Sequence, residues 1–209
     1  MKILLADDHS FIRMGLVQIL KDEFYDVFIT EVSDGVALLK EVMRGNWDLV
    51  ISDLDMPGRG GLEALEQIKQ MRPLLPVLIL SIFPEDLYAI RVLKAGAAGY
   101  LNKNAAPNEL ITAVRKILTG RKYITDDIAE KLLLYQVVPQ KPHEQLSNRE
   151  LEVFKLLAEG KTISRIAEIL SLATTTISSH RSKILEKLHL ASNSDLTRYA
   201  ITNCILANV

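Results

Sequence analysis

The sequence predicts two domains of different class: a doubly wound α/β domain on a five-stranded parallel sheet, then a small all-α domain of four helices. Three observations predict this. Over residues 1–120, short apolar runs alternate with longer amphipathic stretches. Several of the short runs are apolar on consecutive residues, as expected of strands covered by helices on both faces. From residue 147 onward only stretches with helical spacing remain.

Taken in order, the strand-like runs are Ile3–Ala6, Val27–Val32, Asp48–Ile51, Val77–Leu80 and a short run ending Gly99-Tyr100-Leu101. Between and after them lie the helical stretches Phe11–Leu20, Val36–Met43, Leu62–Met71, Leu87–Lys94 and Glu109–Leu118. Residues 121–143 form a connector. Tyr123, Ile124, Ile128, Leu132, Leu133 and Leu134 have the spacing of one more helix, whereas Val138-Pro139-Gln140-Lys141-Pro142-His143 suits neither helix nor strand because of its prolines. The second domain spans 144–209. Ser147 followed by Glu150 is a capping-box pattern, in which each side chain satisfies a backbone N–H at the other's end, and Gly160 is the natural stop of that helix. Further helices are expected over Ile163–Leu170, Thr174–Leu188 and Ser194–Cys204.

Composition sets outer limits. Apolar residues make up 48% of the chain, which argues against general disorder. The 25 basic residues nearly balance the 26 acidic ones, so nucleic-acid binding cannot be read from net charge. Cys204 is the only cysteine, which excludes an intramolecular disulfide and fits a reducing compartment. No apolar run approaches the roughly 20 residues of a membrane span, and MKILLA turns acidic too early for a secretory leader. The expectation is a cytoplasmic protein with no membrane insertion.

Asp7 and Asp8 follow the first apolar run, Asp53 the third, Ser81 the fourth and Lys103 the fifth. In a parallel sheet all these positions fall at the carboxyl edge, where α/β folds bind ligands. With a flavodoxin-like strand order the first and third strands are neighbours and the three carboxylates converge. Their repulsion exceeds what one lysine can neutralise. A hard dication such as Mg²⁺ resolves it, and carboxylate, dication and lysine together suit a phosphoryl group in transfer. A carboxylate is itself able to form an acyl phosphate.

Leu5-Ala6-Asp7-Asp8-His9, Asp53-Leu54-Asp55-Met56-Pro57-Gly58 with Gly61, Ser81, and Gly96-Ala97-Ala98-Gly99-Tyr100-Leu101-Asn102-Lys103 resemble the receiver domain of two-component response regulators. The resemblance implies that Asp53 accepts a phosphoryl group from a sensor histidine kinase. It implies Mg²⁺ held by the carboxylates of Asp8 and Asp53 and the backbone carbonyl of Asp55, with Asp7 acting through water. Ser81 and Lys103 would grip the phosphoryl oxygens, and Tyr100 would be the aromatic whose rotamer follows Ser81. Two departures stand out: Ile82 follows Ser81 where receivers often have alanine, and Asn104 follows Lys103 where they often have proline. Ile82 is expected to shield the phosphoryl group in part, and Asp55 to alter its lifetime.

In the second domain, Ser171-Leu172-Ala173 separates two short helices, the spacing of a helix-turn-helix. Ile166, Ala167, Leu170, Leu172, Ile177, Ile184 and Leu188 supply its apolar contacts. Thr175, Thr176, Ser178, Ser179, Ser182 and Lys183 offer hydroxyls and a cation suited to base edges and phosphates. The charge signal is small: residues 144–209 hold eight Lys or Arg against seven Asp or Glu, although Arg181, Lys183 and Lys187 outnumber Glu186 within Thr174–Leu188. The segments Leu146–Val153, Leu156–Lys161, Ile166–Leu170, Thr176–Arg181 and Ile184–Leu188 resemble a LuxR-type (NarL/FixJ-like) DNA-binding domain. That implies a third helix reading double-stranded DNA, a fourth helping to pair two domains, and a homodimer when phosphorylated. Ser178 stands where the family commonly has lysine, and Ala173 where it has a capping serine; Thr174 is expected to cap in its place.

The leading expectation is thus a phosphorylation-controlled transcriptional regulator and not an enzyme. Two rivals are a phosphohydrolase using Asp53-Leu54-Asp55 as an Asp-x-Asp nucleophile, and a signalling adaptor that has abandoned DNA. Against the first, that superfamily places its motif after the first strand.

Overall fold

The computed structural model describes residues 1–56, 60–82, 85–134, 141–203 and 205–206. Pro57, Gly58, Val138–Gln140 and Cys204 lie outside the described residues. The chain divides into two units, Met1–Leu133 and Leu134–Val209.

The first unit alternates β1 (Lys2–Ala6), α1 (Ser10–Glu23), β2 (Phe28–Val32), α2 (Gly35–Arg44), β3 (Leu49–Asp53), α3 (Gly61–Met71), β4 (Val77–Ser81), α4 (Glu85–Lys94), β5 (Gly99–Asn102) and α5 (Pro107–Leu118). The strands form one parallel sheet in the order β2-β1-β3-β4-β5. β3 and β4 are buried at every residue, whereas β2, at an edge, is half exposed. Successive side chains of a strand point to opposite faces. Ile3, Leu5, Leu49, Ile51, Leu78, Leu80 and Leu101 accordingly share one core with Leu20 of α1 and Leu110, Ala113, Val114 and Ile117 of α5. Helices α2 and α3 pack against one another, and α4 packs on β5. Asp34 caps α2 by accepting from the N–H groups of Val36 and Ala37.

The connector departs from the expectation of one helix beginning near Tyr123. The Tyr123 N–H donates to the Ala98 carbonyl at 2.8 Å, and Tyr123 forms a parallel bridge with Gly99. Helix α6 starts only at Asp126 and runs to Leu134, with Ile128 buried. The free edge of β5 explains this: a strand edge offers unpaired donors and acceptors that an extended segment can satisfy, and a helix cannot. Gly99 permits the approach, since a Cβ there would lie 3.0 Å from both the Tyr123 Cβ and its carbonyl oxygen.

The second unit contains a 3-10 turn (Pro142–Gln145), α7 (Asn148–Ala158), α8 (Ile163–Ile169), α9 (Thr174–Leu188) and α10 (Asn193–Thr202). The turn corrects the expectation of neither helix nor strand through His143. Pro142 occupies its first position, where the missing N–H costs nothing. His143 is buried there, with Nδ1 3.0 Å from the Tyr199 hydroxyl and its ring edge-on to Tyr199. The capping box is present: Ser147 N–H donates to Glu150 Oε2 at 2.7 Å and Glu150 N–H to Ser147 Oγ at 3.3 Å. Phe154, Leu157, Ile166, Ile177, Ile184, Leu188, Leu196 and Ala200 are buried. Among the described residues no helix is long and apolar enough to cross a membrane.

Candidate functional site

The register of the sheet assembles the first site. Ala6 of β1 pairs with Ser52 of β3, so Asp7 follows beside Asp53. Asp53 pairs with Leu80, and Ser81 pairs with Asn102, which puts Ser81 and Lys103 at the same edge. Lys103 N–H donates to the Ser81 carbonyl at 2.8 Å, extending the ladder one step past β5. Asp7 and Asp53 are 1% and 2% exposed, and Ser81 is fully buried. Asp8 and Asp55 are exposed.

Lys103 is the centre of the charge arrangement. Its Nζ lies 2.6 Å from Asp53 Oδ2 and 2.7 Å from Asp7 Oδ2, with the Lys103 side chain itself only 5% exposed. The contact to Asp53 is a directed hydrogen bond. Asp7 Oδ2, by contrast, is held by proximity to the ammonium and receives no well-directed donor. Burial is the largest influence on Asp53 and pushes its pKa up to about 6, despite the opposing hydrogen bond and charge of Lys103 and the N–H of Asp55. Burial pulls Lys103 down, but the two carboxylates together outweigh it and the ammonium is held above its ordinary range.

The β1–α1 corner is pinned by its own hydrogen bonds. His9 N–H donates to Asp7 Oδ1 at 2.8 Å, and Arg13 Nη1 donates to the Asp7 carbonyl at 2.6 Å while its Nε reaches Glu31 at 3.0 Å. Arg13 was not legible as part of the site, because its role depends on β2 lying beside β1. One ligand atom from each of Asp7, Asp8, His9 and Asp53 lies within 4.8 Å of the others. Three carboxylates against one ammonium leave net negative charge at this edge. A hard dication fits this donor set.

Gly61 explains how α3 fits over Asp53. A Cβ at Gly61 would lie 2.1 Å from the Asp53 carbonyl oxygen and 2.8 Å from the Leu54 Cα, and the Gly61 N–H donates to the Leu54 carbonyl at 2.9 Å. Tyr100 is fully buried in β5, paired with Ile79. Ile82 keeps 58% of its surface exposed, so much of its bulk remains in solvent beside the site.

The second site is the outer face of α9. Thr175, Ser178, Ser179, Ser182 and Lys183 are exposed, and Thr176 is half-buried. Ile177, Ile184 and Leu188 on the opposite side are buried. The turn before α9 is fixed by Ser171 in the left-handed region (φ 52°) and by Arg149, whose Nη2 donates to the Leu170 carbonyl at 2.9 Å. Sequence periodicity gave no hint of that clamp, because Arg149 reads simply as a polar residue in the first turn of α7.

Two cations of α9 are engaged within the unit, and one expectation for its start needs correction. Lys187 does not join the outer cations: its Nζ binds the buried Glu150 at 2.6 Å, adding a charge to the capping box of α7. Arg181 is likewise engaged, donating to Asn193 at 2.7 Å. Nor does Thr174 cap the helix. Ala173 is the N-cap residue, in extended backbone, and no side chain accepts there. Ala173→Ser should therefore stabilise this unit by about 1 kcal/mol, read as a higher thermal midpoint; an unchanged midpoint would show that solvent already serves the free N–H groups.

Comparison with known proteins agrees on both units. Residues 3–115 match the family model described as response regulator receiver domain, and residues 144–200 match that of bacterial regulatory proteins, luxR family. The chain is 36% identical to the response regulator UvrY of Escherichia coli, with 95% of this chain and 93% of that protein aligned. It is 32% identical to the response regulator GacA of Pseudomonas aeruginosa, over 96% of this chain and 95% of that protein. Among solved structures, RcsB of Salmonella enterica serovar Typhimurium, bound to promoter rprA in the presence of the phosphomimetic BeF₃⁻, aligns with TM-score 0.68. Its identity is 27%, with 95% of this chain and 97% of that chain covered.

Proposed function

Because this chain belongs to the response regulators that join a receiver domain to a LuxR-family output domain, we propose that it is a phosphorylation-controlled transcription factor whose switch is an acyl phosphate on Asp53. The observation that carries the reading is the Lys103 ammonium seated between Asp53 and Asp7, at 2.6 and 2.7 Å, on the carboxyl edge of the sheet.

An oxygen of Asp53 attacks the phosphorus of a phosphohistidine on a sensor kinase. The new P–O bond forms as the P–N bond breaks, and the imidazole leaves with the bonding pair and regains a proton. Asp8 and Asp53 through carboxylates, Asp55 through its carbonyl and Asp7 through water are the residues to hold Mg²⁺. When bound, the ion supplies positive charge against the phosphoryl oxygens. Lys103 exchanges its carboxylate partner for a phosphoryl oxygen, and the Ser81 hydroxyl moves to donate to another. The added charge, close to −2, biases the β4–β5 edge toward a second arrangement in which Tyr100 follows Ser81.

In the output domain, Thr175, Thr176, Ser178, Ser179, Ser182 and Lys183 face duplex DNA. With Arg181 and Lys187 engaged inside the domain, a single copy carries little charge toward phosphates. A homodimer then matters, since two weak domains held together gain effective concentration.

A pulldown of genomic fragments tests this, using wild type and Asp53→Ala, each with and without a small phosphodonor. The expected result is a set of bound fragments that shifts with the donor in wild type only. Identical behaviour of both proteins would remove the switch, and no duplex bound at low salt would leave an adaptor as the better account.

A further inference from the structure

We propose that a cleft at the amino edge of the sheet binds a diphosphate group, free or carried by a nucleotide, through Lys69, Arg121 and Lys122. The cleft lies at the opposite end of the strands from Asp53, where Asp48, Pro76 and Ala98 lead into β3, β4 and β5.

Its volume is about 670 Å³, inside the range of roughly 300–1,000 Å³ common to small-molecule sites. Three basic side chains line it, Lys69 from the last turn of α3 and Arg121 and Lys122 just after α5, against the one carboxylate of Asp48. Asp48 is held by the backbone, its Oδ2 accepting from the Lys2 N–H at 2.7 Å. Among the described residues no carboxylate pairs with any of the three cations. Burial lowers the pKa of Lys69, and the charge of Lys122 lowers it further. The two ammonium groups therefore repel one another across the cleft, and an anion between them removes that repulsion.

Basic residues that follow a helix often serve its last carbonyls, but those of α5 are closed by backbone. Gly120, in the left-handed region at φ 80°, donates its N–H to Ile117 at 2.9 Å, and the Arg121 N–H donates to Lys116 at 3.2 Å. Lys69 does bind carbonyls, Leu75 at 2.6 Å and Pro73 at 3.4 Å, which leaves one of its three donors. Phosphate oxygens accept charge-assisted hydrogen bonds from ammonium and guanidinium groups, and a diphosphate carries charge enough to answer several cations at once. A ligand there joins α3 to the start of the connector. Tyr123 comes next, its N–H bound to the Ala98 carbonyl, so a bound diphosphate holds the connector against β5.

The test uses full-length protein in metal-free buffer at physiological salt, with pyrophosphate, ADP and adenosine as probes, read by calorimetry and by ¹H–¹⁵N shifts. Pyrophosphate and ADP should each bind once per chain, shift the amides of Gly96, Ala98 and Gly120, and slow hydrogen exchange at the Tyr123 amide. Lys122→Gln and Arg121→Gln should each weaken both ligands roughly tenfold, as for loss of one hydrogen bond between charged groups. Their melting midpoints should not move, because both side chains are exposed. Equal affinities would support a free diphosphate, and tighter binding of ADP with adenosine inert would support a nucleotide. Adenosine binding as tightly as ADP would overturn the proposal. So would the absence of saturable binding, shifts confined to Asp53 and Lys103 or to α9, or variants that bind like wild type.

Discussion

Lys103→Met should destabilise the metal-free protein by about 3–5 kcal/mol at pH 7.5, the range found when one member of a buried ion pair is deleted. Methionine preserves most of the apolar stem, so the loss isolates the charge. Asp7 and Asp53 would remain 1% and 2% exposed with no cation between them. The dependence on pH follows from Asp53, whose pKa burial has raised to about 6. A carboxyl raised above its unfolded value of about 3.9 binds more protons when folded. Its contribution is therefore fully present below pH 4 and is lost as pH rises through 6. Without Lys103 the raised pKa climbs further, so the variant loses stability over a wider range. Thermal melts in EDTA should show the two proteins converging toward pH 4 and parting above 6. Saturating Mg²⁺ should recover part of the difference at neutral pH. A deficit equal at pH 4 and pH 7.5 would assign the effect to packing instead.

Gly61→Ala should cost about 3 kcal/mol and cut phosphoryl acceptance at least tenfold. Overpacking a tight interior commonly costs 1–3 kcal/mol, occasionally more, and here the atoms met by the new methyl are backbone: the Asp53 carbonyl oxygen and the Leu54 Cα. Neither can rotate aside. Relief requires α3 to retreat or the Asp53 segment to tilt, and either movement shifts the nucleophile against Lys103. Gly15→Ala is the matched comparison. Gly15 lies in α1 with nothing within 4 Å of the added Cβ, and alanine is favoured over glycine inside a helix by about 1 kcal/mol. The first substitution should lower the midpoint and the labelling of Asp53 with a small phosphodonor; the second should raise the midpoint and leave labelling unchanged. Unaltered labelling in Gly61→Ala would show that the site tolerates the displacement of α3.

Strands β1, β3 and β4 are legible because they are buried on both faces and read as continuous apolar runs, whereas the edge strand β2 is half exposed. The ends of β1, β3, β4 and β5 mark the carboxyl edge, so the sequence alone groups Asp7, Asp53, Ser81 and Lys103. Three kinds of feature were hidden. Arg13 bridges the Asp7 carbonyl and Glu31, and that depends on which strands are neighbours. Arg149 and Lys187 are polar residues at helix positions that look solvent-facing, yet each turns inward to a partner supplied by another helix, the Leu170 carbonyl and Glu150. Tyr123 has helical spacing with Ile124 and Ile128, and the unpaired edge of β5 overrides that local pattern. In each case the deciding contact is distant in sequence.

The extended segment at Tyr123 bears on where the first unit can be cut. A fragment ending at residue 120 would retain all the strands and α5, yet strip the neighbour from the start of β5. An uncovered edge is a template for another copy's backbone. Such a fragment should self-associate and be clipped more readily by proteases near its new terminus, whereas one carried through residue 133 should stay monodisperse.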